Sequence, residues 1–120
     1  MLTGAATVFV VQDIAASLHH YRHALGFDVA FEYDAPTFYA GLCRDEVELH
    51  LIAARQTKRA PGQGAVAIFV KDVDALYAEL VANGAQAPRP PQDHPYGMRD
   101  FNVTDPDGNQ LTFGMGVETR

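Results

Sequence analysis

A repeated segment is the feature that most restricts how this chain can fold. Residues 8–14 read Val-Phe-Val-Val-Gln-Asp-Ile and residues 67–73 read Ala-Ile-Phe-Val-Lys-Asp-Val, so the two stretches align 59 positions apart. In each copy a strand-like run ends at an aspartate, Asp13 or Asp72, and a helical pattern begins there. Aspartate is a favourable N-cap because its carboxylate accepts hydrogen bonds from backbone N–H groups of the first turn. The chain is therefore predicted to contain two related units.

Each copy continues into a helix with one apolar face. The helices are predicted from about Ile14 to Leu25 and from about Val73 to Asn83, and Gly26 and Gly84 end them. The apolar faces consist of residues at helical spacing, namely Ile14, Leu18, Tyr21 and Leu25 in the first helix and Val73, Leu76, Tyr77 and Leu80 in the second.

Strand-like segments fill the remainder of both units. They are Val29–Tyr33, Phe38–Cys43, Glu46–Ala53, Gln86–Pro88, Arg99–Thr104 and Gln110–Gly114. A tight turn is predicted at residues 44–45, a linker at 55–64 and a hairpin turn at 105–109, whose sequence is Asp-Pro-Asp-Gly-Asn.

These elements predict one α+β domain over residues 1–120, built from two βαβββ modules. Repeat 1 covers about residues 1–54 and repeat 2 about residues 65–116. Each half is too small to bury its apolar face alone. The halves are therefore expected to pack first strand to first strand, or to pair with a partner chain, and to form a curved mixed sheet with a concave ligand cleft.

Composition excludes several classes of protein. The 15 acidic and 9 basic side chains give a net charge of −6, which disfavours a nucleic-acid partner and is compatible with a cationic ligand. The single cysteine, Cys43, excludes an internal disulfide and a cysteine-based zinc site. No apolar run approaches the roughly 18 residues of a membrane helix, and no signal peptide is recognisable. We therefore expect a cytoplasmic protein without a membrane partner.

Three segments carry a resemblance to a known superfamily. Residues 95–101 read Pro-Tyr-Gly-Met-Arg-Asp-Phe and lead into the turn at 105–109. Residues 39–47 read Tyr-Ala-Gly-Leu-Cys-Arg-Asp-Glu-Val, and residues 74–79 read Asp-Ala-Leu-Tyr-Ala-Glu. In this order they resemble the vicinal oxygen chelate superfamily of glyoxalases, bleomycin-resistance proteins and dioxygenases. The resemblance is closest to the bleomycin-resistance-type binding proteins.

The resemblance implies four strand positions at which enzymes of the superfamily hold a divalent metal. In this chain they fall on Ala6, Glu48, Ala65 and Thr112, so Glu48 alone keeps a typical ligand side chain. His50 lies two residues beyond Glu48 and shares its strand face. These positions predict no metal, no cofactor and no catalytic residue. A metal-dependent glyoxalase, dioxygenase or transferase of the same superfamily remains the alternative.

The preferred hypothesis is a metal-free protein that sequesters a small molecule and so confers antibiotic resistance. Stacking surfaces and a few polar groups suit an aromatic or cationic ligand of bleomycin-like type. The expected ligand-binding residues are Tyr39, Glu48, His50, Phe69, Tyr96 and Phe101. The resemblance and the expected exposed sheet faces also predict a symmetric homodimer.

Overall fold

The computed structural model describes residues 1–117 and contains two four-stranded sheets, each with one helix. The elements of the first half are β1 (Thr7–Val11), α1 (Ile14–His23), β2 (Asp28–Tyr33), β3 (Tyr39–Arg44) and β4 (Val47–Ala53). A 3-10 turn follows at Ala54–Gln56. The elements of the second half are β5 (Ala65–Phe69), α2 (Val73–Ala82), β6 (Gln92–Asp93), β7 (Met98–Thr104) and β8 (Gln110–Gly116).

Strand order is equivalent in the two halves. The first sheet has the order β1-β4-β3-β2 and the second has β5-β8-β7-β6. The first strand of each half pairs in parallel with the last, and the remaining pairs are antiparallel. The predicted α+β fold of paired βαβββ modules is therefore confirmed, with two separate sheets that do not close on each other.

The repeated aspartates cap both helices. Asp13 accepts a hydrogen bond from the N–H of Ala16 at 3.1 Å, and Asp72 accepts one from Ala75 at 3.0 Å. Both helices end slightly earlier than predicted, at His23 and at Ala82, because a turn precedes the positive-φ glycine in each case.

Two local expectations were wrong. The predicted strand at 86–88 is only an isolated bridge between Gln86 and Thr104, and the short edge strand is β6 instead. Three prolines between residues 88 and 91 explain this, since proline has no N–H for a ladder. The turn after β3 occupies residues 45–46 rather than 44–45, and Asp45 adopts the left-handed region with φ of 52°.

A buried polar junction joins the halves. We use this term for Tyr21, Asp105 and Asn109. The Tyr21 hydroxyl donates to Asp105 at 2.9 Å, and the Asn109 amide donates to the Val10 carbonyl at 3.1 Å. Gly64 N–H in turn donates to the Asn109 side chain at 2.8 Å. Burial and the Asp105 carboxylate raise the pKa of Tyr21. The turn at 105–109 is thus a connector between modules as well as a hairpin turn.

The helix-covered faces of both sheets share one hydrophobic core. Buried residues from each half contribute to it, among them Phe9, Leu49, Phe101 and Leu111. The opposite sheet faces are largely uncovered within the chain, as the exposed residues Ala65, Ala67 and Phe69 of β5 illustrate. We call these two surfaces the open faces. Within residues 1–117, neither helix has the length and apolar character needed to cross a bilayer.

Candidate functional site

The open face of the first sheet carries a hydrogen-bonded cluster. Tyr39, Glu48 and His50 point to this face, and we call them the Tyr39 cluster. The Tyr39 hydroxyl lies 2.8 Å from His50 Nδ1, and His50 Nε2 lies 2.7 Å from Glu48 Oε2. The strand alternation that placed Glu48 and His50 together in the sequence analysis also brings Tyr39 to them, because β3 and β4 are neighbours.

The direction of these bonds follows from the groups involved. An ionised carboxylate can only accept, so the N–H at His50 Nε2 donates to Glu48. In a neutral imidazole Nδ1 is then the acceptor, and the Tyr39 hydroxyl donates to it. The side chain of His50 is 17% exposed and that of Glu48 is 58% exposed. Within the cluster, His50 is therefore largely buried, whereas the Glu48 carboxylate is accessible to solvent.

Phe31 extends this cluster and was missing from the predicted site. Its ring lies over Gly41, where a Cβ would collide with it. It stacks on Tyr39 with centroids 6.2 Å apart and meets His50 edge-on at 5.4 Å. The irregular register between Val29 and Phe31 hid the orientation of this ring from simple strand alternation. The signal that was available is Gly41, since a glycine between bulky strand residues indicates a close approach.

The second open face carries a related group, His94, Tyr96 and Asp100, which we call the Tyr96 cluster. The His94 and Tyr96 rings are parallel within 3° at a centroid distance of 4.9 Å. Asp100 accepts from His94 Nε2 at 2.8 Å and from the Tyr96 hydroxyl at 3.4 Å. Desolvation and the Asp100 carboxylate raise the pKa of Tyr96. His94 and Asp100 were not among the expected site residues, although both lie within the segment that carried the resemblance or directly before it.

Arg99 fixes the loop that carries this second cluster. Its guanidinium bonds both carboxylate oxygens of Asp74 on α2, at 2.7 and 3.0 Å, and reaches Asp93 of β6 at 3.1 Å. The hydrogen bond from Arg99 lowers the pKa of Asp74. Since Asp93 and Arg99 flank residues 94–98, these ion pairs hold both ends of the loop against the helix.

The two predicted phenylalanines differ in location. Phe69 is the last residue of β5, is 78% exposed and lies on the open face, as expected. Phe101 is 3% exposed and packs against Tyr77 and Phe113, with centroids 5.3 and 5.4 Å away. The expectation that Phe101 lines a ligand cleft is therefore wrong, because its ring points from β7 into the core. No hydrogen bond between described residues joins the Tyr39 cluster to the Tyr96 cluster.

The four implied metal positions do not fit a divalent metal in this chain. Ala6 and Ala65 have no donor atom, and the Thr112 hydroxyl donates to Asn102 Oδ1 at 2.7 Å. Glu48 is bonded to His50. Within residues 1–117, no three His, Cys, Asp or Glu side chains are grouped to hold a metal.

A groove of about 680 Å³ lies between the two halves, and no residue of either cluster lines it. Leu25, Phe27 and Leu76 line its apolar part. Arg44 on its wall is bonded to Glu79 at 2.8 and 3.0 Å, and this bond raises the pKa of Arg44. The groove contains Phe69 but none of the other expected ligand-binding residues.

Three solved structures have a fold similar to that of this chain. The bleomycin-binding protein from bleomycin-producing Streptomyces verticillus, solved with copper(II)-bleomycin, is 27% identical with a TM-score of 0.77 over 99% of this chain and 98% of that one. A superfamily member from Sphaerobacter thermophilus is 24% identical, with a TM-score of 0.82 over 96% and 98% of the two chains. The bleomycin resistance determinant of transposon Tn5 is 20% identical, with a TM-score of 0.80 over 96% and 98%.

A search of curated proteins finds no match. The family model described as the Glyoxalase/Bleomycin resistance protein/Dioxygenase superfamily matches residues 5–113. This match covers nearly the whole chain and agrees with the paired modules of the fold. The chain therefore belongs to the glyoxalase/bleomycin resistance protein/dioxygenase superfamily.

Proposed function

We propose that this protein binds and sequesters an antibiotic-like small molecule without changing it chemically. The observation that carries the proposal is the Tyr39 cluster, which presents aromatic rings beside an exposed carboxylate on an open sheet face. Rings of this kind bind flat molecules by stacking, and a few polar groups fix their orientation. The similarity to a protein solved with copper(II)-bleomycin supports this class of ligand.

Sequestration requires no catalytic group, which suits the residues present. A binder in excess over a toxin lowers the free concentration of that toxin, so affinity alone gives protection. The Tyr39 and Tyr96 clusters supply rings and hydrogen-bond acceptors, and three of the four implied metal positions hold alanine or threonine. A metal-dependent enzyme would contain a stoichiometric divalent ion after purification, and metal analysis of the protein tests this alternative directly.

A homodimer would convert the open faces into clefts. Each open face supplies one wall, and within one chain the helix-covered faces are already packed in the shared core. A second copy related by a two-fold axis could place one open face opposite another and protect the strand edges. Sedimentation equilibrium at micromolar concentration is expected to give twice the chain mass of 13.1 kDa. A mass of one chain would contradict the dimer.

A thermal-shift screen tests the binding function. The screen contains bleomycin-type glycopeptides with and without copper(II), together with a general metabolite library. A ligand that binds only the folded state raises the melting temperature, and mass spectrometry should recover it unchanged. If the bound compound is converted to a product, sequestration is wrong. If no compound raises the melting temperature, the binding function itself is wrong.

Tyr96→Ala tests whether this side chain contributes to binding of the ligand found in the screen. The Tyr96 side chain is 69% exposed on a loop, so folding should persist. Loss of its stacking surface should weaken binding of the screened ligand by roughly 1–3 kcal/mol, measured by calorimetry. Val81→Ala is a suitable control, because Val81 is also exposed, at 43%, and lies on α2 outside both open faces. Equal effects of the two substitutions on binding, or unfolding of Tyr96→Ala, would show that Tyr96 has no specific role in the binding site.

A further inference from the structure

The hydrogen bonds of the Tyr39 cluster leave it with acceptors and no free donor. With a neutral His50 ring that carries its N–H at Nε2, the Tyr39 hydroxyl donates to His50 Nδ1 and His50 Nε2 donates to Glu48 Oε2. What remains for a ligand is the second carboxylate oxygen of Glu48 and the lone pairs of the Tyr39 oxygen. A ligand group that contacts this cluster must therefore donate.

The Tyr96 cluster reaches the same outcome by a different arrangement. Here the carboxylate is central, and Asp100 accepts hydrogen bonds from His94 Nε2–H and from the Tyr96 hydroxyl. The neutral His94 ring then keeps an acceptor at Nδ1, and the Tyr96 oxygen keeps its lone pairs. Both clusters thus use their own donors internally, although their residues come from different halves of the chain.

The ring surfaces beside these acceptors favour positive charge as well. Phe31 is 44% exposed and Tyr96 is 69% exposed, so both present ring area to solvent. The face of an aromatic ring is electronegative and attracts a cation. The net charge of −6 acts in the same direction over longer distances. Acceptors at the edge of a flat aromatic surface are complementary to a planar ligand that carries N–H donors and a positive charge.

We infer that the open faces select flat aromatic cations of the amidinium or guanidinium type over neutral and anionic molecules of the same shape. This inference rests on the proposed binding function and narrows its ligand class. Glu48 is the main specificity-determining residue, because it combines a formal charge with 58% side-chain exposure. Planar N–H donors could form charge-assisted hydrogen bonds to Glu48 while their ring stacks beside Phe31.

Benzamidine, benzamide and benzoate form a matched set of probes that differ in the charge of one planar substituent. Titration of the full chain, followed by amide chemical shifts, gives a dissociation constant for each. Benzamidine is expected to bind at least about tenfold more tightly than benzamide, because hydrogen bonds to a charged partner are about twice as strong as neutral ones. Benzoate is expected to bind more weakly than benzamide. The largest shifts should fall on residues 39, 48 and 50.

Glu48→Gln removes the charge and keeps the shape of the side chain. It should reduce the preference for benzamidine over benzamide by about tenfold. Glu46→Gln is the matched control, since Glu46 is an exposed glutamate on the neighbouring turn and changes the net charge equally. Circular dichroism checks that both variants fold, and the preference of the unmodified chain is a test in itself.

Three results would overturn the inference. If benzamide or benzoate binds as tightly as benzamidine or more tightly, the open faces do not discriminate between ligands by charge. An equal effect of Glu48→Gln and Glu46→Gln would show that the preference for benzamidine arises from the net charge of the chain and not from Glu48. If none of the three probes shifts the cluster resonances, this ligand class is wrong, whereas the binding function fails only if the antibiotic and metabolite screen is also negative.

Discussion

The buried junction and the Tyr39 cluster use the same two groups, a tyrosine hydroxyl and a carboxylate, in different surroundings. At the junction, Tyr21 donates to Asp105, which is 4% exposed. Asp105 also accepts from the backbone N–H groups of Asp107 and Asn109 and from the Asn109 amide, all at 2.9 or 3.0 Å. At the open face, Tyr39 reaches Glu48 only through His50, and the carboxylate remains largely exposed.

The difference separates a structural group from a recognition group. The four donors around Asp105 leave it little capacity for another partner, and burial keeps ligands away from it. Its contribution is therefore to stability, since an unpaired buried polar group is costly. Among residues 1–117, Glu48 has His50 as its single side-chain partner and faces solvent, so its contribution to stability is small and its capacity for a ligand is large. Substitutions at the two sites should separate stability from binding.

Asp105→Ala should have the largest effect. It leaves the Tyr21 hydroxyl, one N–H of the Asn109 amide and the backbone N–H groups of Asp107 and Asn109 without their acceptor. The free energy of unfolding should fall by about 3–5 kcal/mol, measured by urea denaturation. Asp28→Ala changes an exposed aspartate and should stay within about 0.5 kcal/mol. Equal effects of the two substitutions would show that the buried polar junction does not stabilise the fold.

Tyr21→Phe should have an intermediate effect with a distinct pH dependence. Loss of the bond to Asp105 should lower the free energy of unfolding by about 1–2 kcal/mol at pH 7. The pKa of Tyr21 is raised in the folded chain, so above pH ~10 the unfolded chain loses this proton while the folded chain keeps it. The stability of the unmodified chain therefore falls there. The difference from Tyr21→Phe should shrink as pH rises through this range, and a constant difference would contradict this origin.

Tyr39→Phe should leave stability nearly unchanged. The hydroxyl lies at an open face, where water can replace it at His50, so the free energy of unfolding should change by less than about 1 kcal/mol. Benzamidine affinity should nevertheless weaken several-fold, because one outward acceptor is lost. A stability loss as large as that of Tyr21→Phe would mean that the two tyrosines are not different in role.

Substitution of His20 should have the smallest effect on stability. It tests the surroundings of Asp105, because the Asp105 charge acts on the His20 ring. Burial lowers the pKa of His20, with Asp105 opposing and His19 adding to this shift, and its Nε2 is buried without a partner among the described residues. As pH falls below about 6.5, the unfolded chain takes up a proton that the folded chain resists, so stability should decrease. His20→Asn should reduce the loss in stability between pH 7 and 5, followed by thermal denaturation. An unchanged loss would exclude His20 as its source.

Local sequence signals predicted the modules well. The aspartate caps and the helical spacing act over a few residues, so both copies could be read directly. Strand alternation likewise placed Glu48 and His50 on one face. Alternation could also have corrected Phe101, because polar Asp100 and Asn102 alternate with apolar Phe101 and Val103 along β7, which indicates an inward Phe101.

Long-range features could not be read in this way. Tyr21 and Asp105 are 84 positions apart, and no local pattern indicates that a hairpin turn will receive a helix hydroxyl. The register irregularity in β2 similarly depends on pairing with β3, so the position of Phe31 over Gly41 is a property of the sheet. Both examples concern the contacts between elements, which is where the site and the junction are assembled.

The most direct test maps where a ligand binds. The compound with the largest thermal shift in the screen is titrated into the full chain, and amide chemical shifts are followed residue by residue. We expect the largest changes at Tyr39, His50 and Tyr96, and little change at Tyr21 and Asp105. Changes concentrated instead along the groove between the halves, at Leu25, Phe27 and Leu76, would contradict this expectation.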